Sequence, residues 1–499
     1  MDTAEYALGI GRADSKPERV QTQHRLFVAL ARECAEITSD LRVEAIVRFL
    51  TTEYRQQLVL TPNFDPSENI MFEVDFSNPV SAPAVKAFWA KKAAAGSEGL
   101  LMQCLVCGNM RPPVERLPIS IKGIPGGQTS GMALISANAA AFESYGLQAS
   151  LIAPTCEACG QRFSNALNRL LSQEDTHLRV TPVVYIFWAK EPTPFSVTTL
   201  LGTAEADAVR HFLTVPWRST PEAANMNIIP FYAATLSASG ARVVVRDWLE
   251  TTLAEAQDHL QRYFLLQSMR DAADTLRYLP LRQLARATIN SKSQKEEPTV
   301  QVIEALLHVA LHGGPLPDGV LYQVVRRVRS EQHVLPQHAA LIKMVFASQE
   351  RMRIMAELDL TNSEESYLCG RLLSVLESIQ RVALGKVNAT IVDRYYGTAS
   401  SAPASVYGRL LRGAQPHLAK LRRNTPGVFQ RLDGQLQDIL SGMHHRFPST
   451  LDMRQQGLFA LGYYQQRTAD IRAGIAGSEA KKRGTLPPAQ AGLDILAEQ

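Results

Sequence analysis

Four of the six cysteines fall in two pairs, Cys104-x-x-Cys107 and Cys156-x-x-Cys159. Two such pairs can supply four thiolates to one tetrahedral zinc ion, because each short turn aims both sulfurs at one point. Gly108 and Gly160 follow directly on the second cysteine of each pair, where a knuckle often needs a left-handed residue. The insert between the pairs is long for a ribbon, so such a site would clip a small subdomain shut. Structural zinc on Cys104, Cys107, Cys156 and Cys159 is the reading taken. Unrelated buried thiols and a redox Cys-x-x-Cys are the competing ones. Four sulfurs leave no open position for catalysis. A zinc deaminase does not fit, because no H-x-E precedes the second pair.

Between the pairs runs the loop Lys122 to Gly131, KGIPGGQTSG. Glycine at this density lets backbone N–H groups approach a phosphate or a base edge, and Lys122, Gln128, Thr129 and Ser130 add donors beside Gly126 and Gly127. No Lys-Ser/Thr follows at Walker A spacing, and an ordinary structural turn is the alternative. The C-terminal half carries arginine clusters: Arg326 with Arg329, Arg351 with Arg353, Arg409 with Arg412, and Arg422 beside Arg423. Arginines three apart share a helix face and can track a phosphate backbone, although many such runs are merely solvated. His308 and His312 stand four apart, and His444 precedes His445, but neither pair sits in a metalloprotease pattern. A hydrolase built on His308 or His444 is therefore a remote third reading, and no enzyme activity is expected.

Positioning these residues needs several cores, since 499 residues exceed what one core usually serves. The chain reads as α+β. A mixed N-terminal half with a zinc-knuckle subdomain precedes an all-α C-terminal half. Ile70 to Val74 alternates as a half-buried strand, and Val183 to Trp188 and Arg242 to Val245 read as buried strands. Early helices are expected around Phe27–Cys34 and Val43–Leu50. After residue 250 helices are expected over Leu253–Leu266, Val302–Leu311, Val320–Arg329, Ala339–Leu358, Glu364–Leu384, Ser405–Leu421, Phe429–Leu440 and Gln455–Ile471. The segments expected are 1–99, mixed; 100–250, strand-rich and zinc-clipped; 251–350, helical; 351–475, a helical bundle; and 476–499, a loose tail. Asn290 to Pro298 reads as an exposed polar linker.

The net charge of +4 decides little by itself. No apolar run is long enough for a membrane span and no secretory signal opens the chain, so a cytoplasmic protein without membrane contact is expected.

Several stretches resemble the large subunit of type I-C CRISPR Cascade, the Csd-one or Cas-eight c-subtype family. They are YALGIG near the start, KGIPGGQTSGMALISANAAAFESYG, FYAATLSASGARVVVRDWL, SYLCGRLLSVLESIQ with NATIVDRYYGTASS, and QQGLFALGYYQQR, in order along nearly the whole chain. The resemblance implies a subunit at the foot of the complex, near the 5′ end of a guide RNA. It would read the PAM in duplex DNA, help open the duplex and stabilise the displaced strand. Implied partners are guide RNA, target duplex DNA, the backbone and guide-processing subunits, a helical small subunit and a helicase-nuclease that cuts. It further implies that the C-terminal helices can be made separately, with Met352 or Met355 as candidate starts. Members of the family usually carry a stretch ahead of YALGIG, so a shortened N-terminal part is expected. A stand-alone zinc-ribbon nucleic-acid-binding regulator is the alternative.

Overall fold

The computed structural model describes residues 2–12, 15–61, 64–94, 100–137, 139–191, 196–214, 228–293, 295–349, 353–385, 387–443 and 446–482. Among the described residues the fold is α+β, 55% helical with 12% strand, and the C-terminal half is helical. It divides into two compact units, Met1–Ser120 with Ile135–Asn165, and Ile121–Leu134 with Ala166–Gln499.

After a short strand at Asp2–Thr3 and one helical turn at Ala4–Ala7, the first unit has helices α1 (Pro17–Thr38), α2 (Leu41–Thr51) and α3 (Pro83–Ala94). Pro17 opens α1, where its missing N–H costs nothing, and Ser39 closes it in the left-handed region at φ 50°. Asp40 caps α2 by accepting from the Arg42 N–H at 3.0 Å. Cys34, Val43, Val85 and Phe88 bury one seam between these helices, while Ala7, Leu8, Ile46 and Leu50 bury another. The strand expected over Ile70–Val74 is shorter: Asn69–Ile70 pairs with Asp2–Thr3, and Val74 instead closes a tight turn onto Ser77. A hairpin of β1 (Met102–Gln103) and β2 (Met110–Arg111) follows, and helix α4 (Glu157–Ser172) begins within the same unit.

The second unit is built on an antiparallel sheet in the order β3 (His177–Val180), β4 (Val183–Ala189), β5 (Pro230–Ser239) and β6 (Arg242–Thr252). Alternation along these strands sends side chains to two faces. Val184, Ile186, Ala234, Leu236 and Val243 face one way, onto Ile121, Ile124, Met132 and Leu171. Val183, Tyr185, Phe187, Phe231, Ala233 and Leu249 face the other way, into the helical core. Both faces are thus buried, which explains why VVYIFW reads as a continuous apolar run.

Besides short helices at Val197–Gly202, Ala206–Thr214 and Leu281–Arg286, the described helices of this unit are α5 (Leu253–Gln267), α6 (Val300–Leu311), α7 (Asp318–Glu331), α8 (Pro336–Ser348), α9 (Glu365–Leu384), α10 (Ile391–Ala399), α11 (Tyr407–Asn424), α12 (Pro426–Ser441) and α13 (Met453–Lys482). Thr252 caps α5 through the Glu255 N–H at 3.2 Å, and Thr390 with Asp393 makes a reciprocal capping box on α10. One core runs unbroken from the sheet through α13, with buried residues on both sides of position 350. Its tightest seam lies between α9 and α13. A Cβ on Gly370 would stand 2.0 Å from the Phe459 carbonyl oxygen, and one on Gly462 2.2 Å from that of Tyr367. Only glycine lets the two backbones approach so closely.

Two sequence expectations change here and a third is extended. The helix expected over Ala339–Leu358 ends at Ser348. Ile354 and Leu358 still pack on the core, but from irregular chain whose Ala356 carbonyl accepts from the Arg270 N–H. The linker expected at Asn290–Pro298 is exposed at Ser291, Lys292, Lys295, Glu296 and Glu297, as read, and is in addition tied down: Ser291 N–H donates to Glu331 at 2.8 Å and Arg286 donates to the Ser293 carbonyl at 2.7 Å. Helix α13 also runs through Lys482, past the point where a loose tail was expected; residues 483–499 lie outside those described.

Candidate metal centre and nucleic-acid-facing elements

Cys104, Cys107, Cys156 and Cys159 converge, with all four sulfurs within 4.8 Å of one another. The first knuckle forms where the β1–β2 hairpin turns. Gly108 N–H donates to the Cys104 carbonyl at 2.8 Å, and Gly108 takes φ 73°, a conformation open to glycine at little cost. The second knuckle is the start of α4, whose first N–H groups have no partner within the helix. Cys156 N–H crosses to the Cys104 sulfur at 3.3 Å, and Pro113 pairs with Cys156 as an isolated bridge. Gly160 differs from the expectation. It lies inside α4, with no left-handed φ, and its lack of a side chain admits Pro118, whose Cδ would be 3.2 Å from a Cβ.

The electrostatics fit a cation. Burial opposes ionisation of Cys104, but N–H groups of Cys156, Cys107 and Val106 directed at its sulfur outweigh burial and bring the thiol down to about 6. Burial and the three neighbouring sulfurs push Cys159 up to about 12. One thiolate is welcome here, and several without a compensating charge are not. The Cys107 and Cys156 sulfurs are 4.0 Å apart. That is far beyond disulfide length and close to the ~3.8 Å separating sulfurs on a tetrahedral zinc with ~2.3 Å bonds. The four cysteines could hold a metal ion. Cys34 and Cys369 are buried and free, each in a separate core.

The glycine-rich loop is held at its base and bare at its tip. Ile121 and Met132 exchange backbone hydrogen bonds at 2.8 Å, and Ala133 joins the edge of β6 through Ala241 and Val243. Lys122 N–H donates to the Asn168 side chain at 3.0 Å, and Arg179 donates to the Gly123 carbonyl at 3.3 Å. Gly123, Gly126 and Gly131 have φ of 84°, 72° and 105°. Gly127 is needed for room instead: a Cβ there would lie 2.4 Å from the Met132 methyl carbon. Lys122, Gly126, Gln128, Thr129 and Ser130 are exposed.

The arginines fall on separate elements. Arg326 and Arg329 are exposed on α7, where Arg329 reaches Gln456 at 3.4 Å and Arg327 pairs with Glu331 at 3.7 Å. Arg353 is exposed in the irregular chain before α9, and Arg351 lies outside the described residues, as do Met352, His444 and His445. Arg409, Arg412 and Arg422 share α11 with Lys420 and Arg423, all exposed, and that helix contains no Asp or Glu. Leu410, Ala414, Leu418 and Leu421 bury its opposite face. Arg409, Arg412, Lys420 and Arg423 follow helical spacing along one stripe. Lys420 completes that stripe; its place four before Asn424 on the exposed face is the signal that could have found it.

No helix among the described residues is long and apolar enough to cross a membrane. No curated protein matches the chain. The family model described as CRISPR-associated protein (Cas_Csd1) matches residues 1–470, a span that takes in the four cysteines, the glycine-rich loop and every helix from α1 to α12. The chain therefore belongs to the Cas_Csd1 family of CRISPR-associated proteins.

Proposed function

We propose that this chain is the large subunit of a type I-C Cascade complex, a nucleic-acid-gripping component that leaves strand cleavage to a separate helicase-nuclease. The observation that carries the reading is α11: five exposed cations, no acid on the helix and, among the described residues, no ion pair from any of the five to a carboxylate. Unpaired exposed cations repel one another and cost stability unless a polyanion neutralises them. Phosphates of a displaced single strand meet that need, and each contact releases condensed counterions.

The glycine-rich loop is the candidate reader of the PAM duplex. Its exposed backbone amides, with Gln128, Thr129 and Ser130, offer donors and acceptors on a base held firm by the Ile121–Met132 pair. Sequence along the target would be read by pairing with guide RNA. The four cysteines would hold structural zinc, with no position left for substrate. The working location would be the cytoplasm, beside backbone subunits and a helical small subunit.

The test is reconstitution with guide RNA and the backbone subunits. With the chain present, the complex should bind duplex DNA bearing the correct PAM and discriminate against a PAM mutant; without it, discrimination should vanish. The chain alone should not cleave DNA with Mg²⁺, Mn²⁺ or Zn²⁺ added. Equal binding with and without the chain, or cleavage by it, contradicts the reading.

A further inference from the structure

A second cluster of metal-binding residue types stands on the helical side of the sheet. Helix α6 carries Glu304 and His308 one turn apart. His312, its C-cap, remains in the right-handed region and donates its N–H to the His308 carbonyl at 2.7 Å. The three residues therefore form one stripe. Facing it is Asp247 of β6, whose Oδ2 lies 3.0 Å from His312 Nε2 although the two are 65 residues apart in sequence. The imidazoles of His308 and His312 lie nearly parallel with centroids 4.4 Å apart. One donor atom from each of Asp247, His308 and His312 lies within 4.8 Å of the others.

A lone Asp–His hydrogen bond would explain one imidazole. It does not explain the second, stacked beside it at the exposed end of the same helix. The Nε2–Oδ2 distance of 3.0 Å also matches the edge between adjacent ligands about 2.1 Å from an octahedrally coordinated ion, an edge about 1.4 times the bond length.

A separate observation points to a polar occupant nearby. Tyr185, Thr235 and Asp247 are register partners across β4, β5 and β6, so they form one row on the helix-facing side of the sheet. The hydroxyls of Tyr185 and Thr235 are buried side by side, close enough for Thr235 to act on the Tyr185 hydroxyl, yet among the described residues neither makes a hydrogen bond of full geometry. Thr235 is 0% exposed. Buried hydroxyls left short of well-formed hydrogen bonds often mark a water or ion beside them. Ligand waters on a cation held by Asp247 would lie toward these groups.

We propose that Asp247, His308 and His312 form a site for a divalent transition metal, separate from the four cysteines. Two imidazoles and one carboxylate favour Zn²⁺, Co²⁺, Ni²⁺ or Cu²⁺ over Mg²⁺ and Ca²⁺. Three protein ligands leave positions for water. The ion would pin the edge strand β6 to α6, and exposed His308 gives it access from solvent.

Cobalt distinguishes the two centres in the full-length chain. Co²⁺ on thiolates gives a sulfur-to-metal charge-transfer band, and Co²⁺ on nitrogen and oxygen does not. Titration of the wild type should show a binding event without that band. His308→Ala and Asp247→Asn should each weaken this event at least about tenfold while leaving any charge-transfer band unchanged. His308 is exposed, so melting of His308→Ala by circular dichroism without added metal should match the wild type. Absence of a band-free event in folded wild type, or its survival in both variants, overturns the proposal.

Discussion

Ile121 and Met132 form a closed backbone pair, each donating to the other's carbonyl at 2.8 Å, and this pair turns a flexible glycine sequence into an anchored loop. Both side chains are buried against the sheet, at 0% and 2% exposure, so the loop's base is part of the core while its tip is open. Gln128→Ala and Thr129→Ala should therefore weaken target binding by the assembled complex with no change in thermal midpoint. Gly127→Ala should weaken binding and also lower stability, because its Cβ forces the buried end of the flexible Met132 side chain to shift; a loss of about 1 kcal/mol, the low end of overpacking, is expected. Denaturant melts beside filter-binding titrations separate the two effects. Unaltered affinity in all three variants removes the loop from the contact surface.

The cysteine centre makes a prediction about stoichiometry. Purified chain should carry zinc bound through the four cysteines. Cys104→Ser should release it and lower the thermal midpoint, since the Cys156 N–H loses its sulfur acceptor and the remaining thiols lose their cation. Metal analysis by mass spectrometry together with a thermal melt reads both. Zinc retained at the wild-type level in Cys104→Ser contradicts the assignment.

Packing between α9 and α13 predicts intolerance of a single methyl group. Gly370→Ala and Gly462→Ala would each place a Cβ against a backbone carbonyl, which cannot rotate away as a side chain can. Each should cost about 3 kcal/mol or more, at the severe end of overpacking. Gly434, whose Cβ would meet nothing within 4 Å, is the control: Gly434→Ala in the middle of α12 should be neutral or stabilising by about 1 kcal/mol. Urea midpoints of the three variants check the ordering.

His338 gives the fold an acid limit. Burial lowers its imidazole to about 4 from the ordinary 6.5, and its Nδ1 accepts the Leu335 N–H at 3.1 Å at the start of α8. The folded pKa lies below the unfolded one, so this contribution is fully present above pH 6.5 and is lost as pH falls toward 4. The shift corresponds to about 3 kcal/mol at most. His338→Gln should flatten that part of the stability profile. Urea melts at half-unit pH steps read it, and an identical pH dependence in the variant contradicts the account.

Much of this architecture is legible in the residues, and the failures have physical causes. VVYIFW and RVVV announced strands because both sheet faces are buried, and the helices after residue 250 followed their apolar periodicity. Periodicity reports burial more directly than helix, which is why Ile354 and Leu358 misled: they are partly buried without being helical. The cysteine quartet was readable because each half of the site is local in sequence. Gly108 was readable for the same reason, while Gly160 serves an approach by Pro118 that no local pattern encodes. The carboxylate partner of His312, which also lies near His308, was invisible because Asp247 arrives through strand pairing from a distant segment. Arginine spacing pointed to the helix that is α11, and the fold adds that, among the described residues, its cations have no carboxylate partner while Arg327 on α7 pairs with Glu331.

The central claim, that α11 lies along a nucleic-acid backbone, is tested most directly by salt dependence. Target binding by the assembled complex should be measured from low to moderate salt with wild type and with Arg409, Arg412, Lys420 and Arg423 all changed to Gln. Loss of four single-strand phosphate contacts should reduce the slope of log affinity against log salt by about 3. An unchanged slope, in a variant that melts like the wild type, would contradict the account.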